Sequence, residues 1–273
     1  MTIEERAAAT KTGDIHYATA GTGHPLVLLH GSGPGATGLG NFRPNIEALA
    51  EKFRVIAPDM PGWGKSVTQT FDQRDHATAL MELLDELGIG KAAVAGNSMG
   101  GATTLKFAVE HPERISHVIT MGASAPGPHL LVPQGAPSEG IGILQAAYRD
   151  PSLENMRRLT RVMTFDPAFA TDELSRERSE AAKANTEHLK NFIDGMGKGR
   201  RDQPSLAELA TISAPALLIH GRDDRVNSYE QGLRLLSVIP ESRALIISKC
   251  GHWAQLEHAA EFNRVVTDFV TGN

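Results

Sequence analysis

The segment Gly96-Asn97-Ser98-Met99-Gly100 constrains this chain more than any other. It fits the pattern Gly-x-Ser-x-Gly, and its flanks dictate how it must fold. Ala92-Ala93-Val94-Ala95 before it is a short apolar run that reads as a buried strand, and residues 101–108 after it read as a helix. A serine on so abrupt a strand-to-helix turn has an exposed hydroxyl, and glycines on either side let two backbones crowd together. The start of the helix also aims unpaired N–H groups and the positive end of its dipole at that hydroxyl. The turn thus calls for a helix laid on a sheet, and it marks Ser98 as a candidate nucleophile.

The rest of the chain repeats this alternation. Apolar runs at residues 26–30, 54–58, 117–121, 216–220 and 244–248 read as further strands, and residues 3–9 and 15–19 as an antiparallel start. Between them, residues 75–87 place Ala79, Leu80, Leu83, Leu84 and Leu87 at helical spacing and stop at Gly88. Residues 255–270 read as one closing helix with Phe262, Val265, Val266 and Phe269 on a face. Strands alternating with helices predict an α/β fold built on a mostly parallel sheet. The alternation breaks after Ala125. Prolines and glycines cluster over residues 126–137, and helical stretches follow at 139–148, 152–163, 171–184 and 187–196 before residues 206–210 lead back to a strand. The expected organisation is a core of residues 1–125 and 205–273 with a helical cap, residues 126–204, inserted between its halves.

Composition narrows the function. A net charge of −5 and the lack of a long basic run argue against a nucleic-acid partner. The N-terminal residues lack the apolar stretch of a signal peptide, and nothing approaches the roughly 18 apolar residues of a membrane span. A single cysteine, Cys250, leaves no internal disulfide framework and reads as a small buried filler. These features predict a cytoplasmic protein without a membrane partner. No Cys-x-x-Cys or His-Glu-x-x-His spacing suggests a metal, and no cofactor is expected.

A serine hydroxyl is a weak nucleophile until a base takes its proton, and the base needs an acid to fix its tautomer. The chain supplies an acid in Gly221-Arg222-Asp223-Asp224-Arg225 and a base in Cys250-Gly251-His252-Trp253, each just past a predicted strand. Loops beyond the carboxyl ends of parallel strands are where such sheets build their sites. Asp223 and Asp224 compete for the acid role on chemistry alone. The glycine-rich turn His30-Gly31-Ser32-Gly33-Pro34-Gly35 would point backbone N–H groups into the site and, with the amide of Met99, form an oxyanion hole.

These motifs, together with Asn41, Pro61-Gly62-Trp63-Gly64-Lys65-Ser66, Glu187-His188-Leu189-Lys190-Asn191-Phe192 and the extension Ala254-Gln255, make the chain resemble an α/β-hydrolase over nearly its whole length. More narrowly it resembles the meta-cleavage product hydrolases, which split carbon–carbon bonds in 2-hydroxy-6-oxo-hexa-2,4-dienoates. The resemblance implies Ser98 as nucleophile, His252 as base and Asp224, the fourth residue of Gly-x-x-Asp, as acid. It implies the amides of Ser32 and Met99 as the oxyanion hole. It assigns the dienoate's carboxylate and 2-oxo end to Asn97, Trp253 and a cap arginine, Arg178 by alignment with Arg176 as competitor. Asn41, Gly31 and Gly33 would lie beside the substrate or the oxyanion loop. Arg225-Val226-Asn227 departs from the family's usual aromatic-Val-Pro, a change expected to affect loop stiffness only.

The resemblance further implies a small-molecule dienoate substrate, no cofactor, and a homodimer or larger assembly. Residues 130–165 are expected to shape the pocket for the group on C6, and nine Phe, two Trp and three Tyr point to aliphatic and methionine walls. Two alternatives remain at this stage: a carboxylesterase or lactonase on the same triad, and a ligand-binding member of the fold without catalysis.

Overall fold

The computed structural model describes residues 2–128, 131, 137–196, 198 and 203–272. Eight strands, β1 (Glu4–Thr10), β2 (Gly13–Ala20), β3 (His24–Leu29), β4 (Phe53–Pro58), β5 (Ala92–Asn97), β6 (Ile115–Met121), β7 (Ala216–Gly221) and β8 (Ser242–Ile247), form one sheet in the order β1-β2-β4-β3-β5-β6-β7-β8. The β1–β2 and β2–β4 pairs are antiparallel and all others parallel, as the hydrophobic runs foretell.

The central strands are apolar on both faces because helices cover both. On one face α1 (Gly38–Leu49), α10 (Ala254–Glu257) and α11 (Ala259–Thr271) bury Phe42, Ile46, Phe262 and Val266 against Leu26, Leu28 and Ala95. On the other, α2 (His76–Glu86), α3 (Met99–Glu110), α8 (Leu206–Leu209) and α9 (Glu230–Val238) bury Leu83, Leu84, Leu105 and Leu235 against Val27, Leu29 and Val94. The alternation Leu26-Val27-Leu28-Leu29 thus serves two cores from one strand.

Between β6 and β7 the chain inserts α4 (Glu139–Arg149), α5 (Leu153–Met163), α6 (Asp172–Ala184) and α7 (Thr186–Gly195). Ser138, Ser152 and Thr171 cap the first three through their side chains, which is why those helices begin where polar residues meet the apolar pattern. The insertion has its own apolar cluster, with Leu144, Tyr148, Met156, Leu159 and Leu189, and it packs on Val226 and Trp253 of the core. Part of the expected Pro/Gly cluster, residues 129, 130 and 132–136, lies outside the described residues, as do residues 199–202 near the expected end of the cap.

Two features differ from the pattern. The closing helix is broken rather than continuous. His258 leaves helical geometry (φ −122°, ψ 44°), and its Nε2 lies 3.1 Å from the Lys249 carbonyl. Just before the break, Glu257 takes the amides of Phe165, Asp166 and Gly251. The pattern also does not foretell α1, whose sequence carries Gly38, Gly40 and Pro44.

At the elbow the close approach is severe. A Cβ on Gly100 would fall 2.2 Å from the Leu29 carbonyl oxygen, whereas Gly142, on α4, faces open space. Gly100→Ala is therefore expected to lower the melting temperature sharply. Gly142→Ala is expected to stabilise the fold by about 0.5–1 kcal/mol, read by thermal and urea denaturation.

Candidate active site

Five strand ends meet at one rim of the sheet. β5 delivers Ser98, which sits at φ 54°, ψ −110°, a left-handed conformation unusual for a residue with a side chain. The glycines hold it there. Gly96 and Gly100 approach so closely that a Cβ on Gly96 would lie 2.1 Å from the Gly100 carbonyl oxygen. The Ser98 amide donates to the Met121 carbonyl at 2.8 Å, tying the turn to the end of β6.

β7 delivers Asp224 and β8 delivers His252. His252 Nδ1 lies 2.7 Å from Asp224 Oδ2, and the carboxylate is wholly removed from solvent. Its other oxygen accepts the amides of Val226 at 2.7 Å and Asn227 at 3.0 Å, and His220 Nε2 stands 3.4 Å from Oδ2. Burial would raise the Asp224 carboxyl, but His252 and His220 outweigh it and hold it below the usual carboxylate range. Asp223 instead accepts the Lys249 amide at 2.8 Å and ion-pairs with Arg222. The geometry thus separates the two aspartates that chemistry alone leaves tied.

The His252 loop is suspended from both layers. The His252 amide donates to Met163 of the insertion at 2.7 Å, and its carbonyl accepts Asn97 Nδ2 at 3.1 Å. Asn97 Nδ2 also donates to the Met121 carbonyl at 3.2 Å, and Asn97 Oδ1 is buried without a partner. Asn97, expected with Trp253 and the cap arginine at the carboxylate and 2-oxo end of the dienoate, thus has its donors engaged, and what it offers a ligand is an acceptor. Ser98 Oγ makes no hydrogen bond among the described residues, to His252 or any other.

The amides of Ser32 and Met99, expected to face an oxyanion, likewise donate to no acceptor among the described residues. The Ser32 loop is braced from the insertion. Tyr148 Oη donates to the Ser32 carbonyl and receives Trp63 Nε1 at 3.0 Å, and its ring stacks on Phe192 at 3.7 Å. Burial pushes the Tyr148 hydroxyl well above its usual range, so it stays protonated as a donor. Nothing in the sequence pattern distinguishes Tyr148 from a packing residue.

Arg178 is buried on α6, whereas Arg176 is exposed. Its guanidinium lies 4.9 Å from the Trp253 ring, and Nη1 donates weakly to Asn41 Oδ1 at 3.5 Å. Nε has no partner. Gly33 and Gly35 make room for it: a Cβ on Gly33 would meet Nη2 at 2.6 Å, and one on Gly35 the Arg178 carbonyl at 2.2 Å. Gly31 packs against Asn97 Oδ1 in the same way, at 2.9 Å. Burial pushes the Arg178 pKa down to about 10, so it remains charged at neutral pH.

A cavity of about 530 Å³ opens at Ser32, Ser98 and Met99 and extends between the core and the insertion. Ile141, Leu144 and Gln145 line it, as expected of residues 130–165, but so do Phe192, Gly195 and Met196 of α7. Its walls are not only aliphatic: Phe71 and the cations Arg74 and Lys106 also face it. Val226 and Asn227 line it too, and Arg225 bonds the carbonyls of Arg161 and Thr164, so the departure at 225–227 shapes the cavity and anchors the insertion rather than altering stiffness alone. Cys250 is fully buried, as a filler should be, and burial raises its thiol pKa. Among the described residues no cluster of His, Cys, Asp and Glu is arranged to hold a metal, and no helix is long and apolar enough to cross a membrane.

Residues 24–259 match the family model of the α/β-hydrolase fold. A 2-hydroxy-6-oxononadienedioate/2-hydroxy-6-oxononatrienedioate hydrolase of Burkholderia vietnamiensis is 45% identical over 262 residues, covering 94% of this chain and 90% of that protein. The structure of this chain resembles the meta-cleavage product hydrolase CumD of Pseudomonas fluorescens IP01, with a TM-score of 0.86 at 31% identity over 98% and 97% of the two chains. The chain belongs to the meta-cleavage product hydrolases. The 2-hydroxy-6-oxo-6-phenylhexa-2,4-dienoate hydrolase of a Rhodococcus species, also of this family, superimposes with a TM-score of 0.85 at 30% identity over 98% and 99% of the chains.

For this hydrolase, Asp224→Asn is expected to lower kcat by about 10⁴-fold by presenting the wrong histidine tautomer, while Asp223→Asn leaves the order of magnitude unchanged in steady-state assays. Stability carries the same signature. The folded Asp224 carboxyl titrates below its unfolded value of about 3.9, so the pair stabilises the fold above that pH and loses the contribution as pH falls towards the folded value. Urea denaturation at acid pH should show a shallower pH dependence in Asp224→Asn than in the wild type.

Proposed function

We propose that this meta-cleavage product hydrolase cleaves the C5–C6 bond of a 2-hydroxy-6-oxo-hexa-2,4-dienoate-type compound by covalent catalysis at Ser98. The observation that carries the reading is the His252 ring, bonded to buried Asp224 and hung by its carbonyl from Asn97, beside the turn that bears Ser98. Residues 126–204 act as the cap over the reaction centre. The enzyme works in the cytoplasm as a homodimer or larger assembly, without a cofactor.

The chemistry explains the inventory. A carbon leaving group departs badly because its carbanion is a strong base, so the chain must first be protonated. Arg178, with Trp253 beside it and a free Nε, suits the substrate carboxylate. Asn97 Oδ1 is placed to accept a hydrogen bond from the 2-hydroxyl rather than to bind the carboxylate. His252 relays the hydroxyl proton to C5, converting the dienol to its keto tautomer.

Ser98 Oγ then gives its proton to His252 Nε2, the nitrogen Asp224 leaves open, and bonds to C6. The amides of Ser32 and Met99 stabilise the resulting oxyanion, and losing one such donor typically costs about 10²–10³-fold in rate. The C5–C6 bond breaks with its electron pair spread over a conjugated dienolate, which takes a proton as 2-hydroxypenta-2,4-dienoate. Water activated by His252 cleaves the acyl-enzyme and releases a carboxylic acid.

Stopped-flow absorbance of Ser98→Ala tests this scheme. Decay of the coloured dienol to its keto form is expected to persist while steady-state cleavage disappears. Cleavage at near the wild-type rate would rule out the covalent step, and dominant turnover of p-nitrophenyl esters with no bleaching of the dienoate would favour an esterase.

A further inference from the structure

The oxyanion donor expected at Ser32 is the N–H of the peptide that joins Gly31 to Ser32. That peptide lies on the nucleophile turn: a Cβ on Gly31 would stand 2.9 Å from Asn97 Oδ1 and 3.4 Å from Ser98 Cβ. In a trans peptide the C=O and N–H point in opposite directions. Whatever holds the Gly31 carbonyl therefore also aims the Ser32 N–H.

His30 holds it. Its Nδ1 lies 2.8 Å from the Gly31 carbonyl oxygen, and its Nε2 lies 2.8 Å from the Met60 amide nitrogen. An amide N–H only donates, so Nε2 is the acceptor and the ring proton sits on Nδ1, donating to Gly31. The ring is fully buried, and burial pushes its pKa down, so it stays neutral with one donor and one acceptor. The Met60 amide, the imidazole and the Gly31–Ser32 peptide thus form a chain of hydrogen bonds whose open end is the Ser32 N–H. Bonds in such a chain polarise one another, so a donor behind the carbonyl strengthens the N–H in front of it.

The next peptide is held as well. Tyr148 of α4 donates to the Ser32 carbonyl and receives Trp63 Nε1 at 3.0 Å. The Trp63 ring in turn meets His30 edge-on, with centroids 5.9 Å apart. The peptides on both sides of the Ser32 Cα are therefore fixed, one from the core and one from the insertion. Neither His30 nor Tyr148 is among the described residues that line the cavity at Ser98, so both act from behind the site.

We infer that His30 and Tyr148 are positioning residues of the oxyanion hole: His30 aims and polarises the Ser32 amide, and Tyr148 makes its placement depend on where the insertion sits. The inference rests on the function proposed above.

Paired substitutions separate aim from packing. Asparagine places its amide nitrogen near the position of histidine Nδ1, and glutamine places its amide oxygen near that of Nε2. His30→Asn thus keeps the donor to Gly31 and strands the Met60 amide, whereas His30→Gln keeps Met60 and strands Gly31. Each loses one buried hydrogen bond, so urea denaturation should show similar destabilisation. In steady-state turnover of a dienoate, His30→Gln is expected to lower kcat about 10–100-fold with KM little changed, somewhat less than the 10²–10³-fold cost of removing an oxyanion donor outright. His30→Asn should recover most of that loss. Tyr148→Phe should lower kcat by less than His30→Gln, because the Ser32 N–H belongs to the other peptide.

A trifluoromethyl ketone and its methyl counterpart give a second readout. Ser98 adds to the first to form an oxyanion, and the second only occupies the site. The wild type should prefer the trifluoromethyl ketone, His30→Gln should lose much of that preference, and His30→Asn should regain it. Equal losses of kcat in the two His30 variants, or an unchanged ketone preference in His30→Gln, would overturn the inference by showing that His30 only fills its pocket. If neither His30 variant folds, Tyr148→Phe carries the test, and wild-type kcat with wild-type ketone preference would overturn it. If the wild type cleaves no dienoate, the proposed function fails, and the ketone pair still decides whether His30 aims the Ser32 amide.

Discussion

The approach of α3 to the strands beneath it is the constraint from which the rest follows. Gly100 lies against the Leu29 carbonyl and Gly96 against Gly100, so no side chain fits at either position. That contact forces Ser98 into a left-handed conformation that costs on the order of 1–3 kcal/mol and persists only because the surroundings over-determine it. The same turn fixes the direction of the Met99 amide and the line of the cavity along α3. It also sets where His252 must arrive, since Met121 and Asn97 tie the Ser98 turn and the His252 loop into one set of hydrogen bonds.

Around this turn the molecule keeps polar groups without partners. Arg178 Nε, Arg74 Nε and Nη2, Asn97 Oδ1 and the amides of Ser32 and Met99 all lack acceptors or donors among the described residues. Each buried vacancy costs about 1–3 kcal/mol, a noticeable share of a stability of about 5–15 kcal/mol. In the proposed reaction Arg178, Asn97 and the Ser32 and Met99 amides are the places where the substrate's carboxylate, hydroxyl and developing oxyanion come to rest. Groups fixed before the substrate arrives need no reorganisation as charge develops. The insertion supplies the rigidity, through Tyr148 on the Ser32 carbonyl and Met163 on the His252 amide.

Much of this was legible in the sequence because it depends on local rules. Strand runs, the helix stop at Gly88 and the glycine pattern of the elbow are short-range signals, and they located Ser98, the pair Asp223 and Asp224, and His252 just past strand ends, while the choice of Asp224 came from the family resemblance. What escaped depends on long-range contacts. Arg74 sits between two acids and looks like the solvated start of a helix, yet Trp63 and Phe192 enclose it. The break at His258 follows from what the Lys249 carbonyl and the 165–166 loop need, which no helical periodicity records. Residues 225–227 looked like a stiffness change because their partners, Arg161, Thr164 and Gly122, lie far away in sequence.

Rapid-quench mass spectrometry of the enzyme during turnover of a dienoate measures the central claim most directly. The account predicts that the peptide containing Ser98 gains the mass of the C6 acyl fragment early in the reaction and loses it as the acid appears. Full turnover with that peptide unmodified at every time point, under quenching that preserves a serine ester, would contradict it.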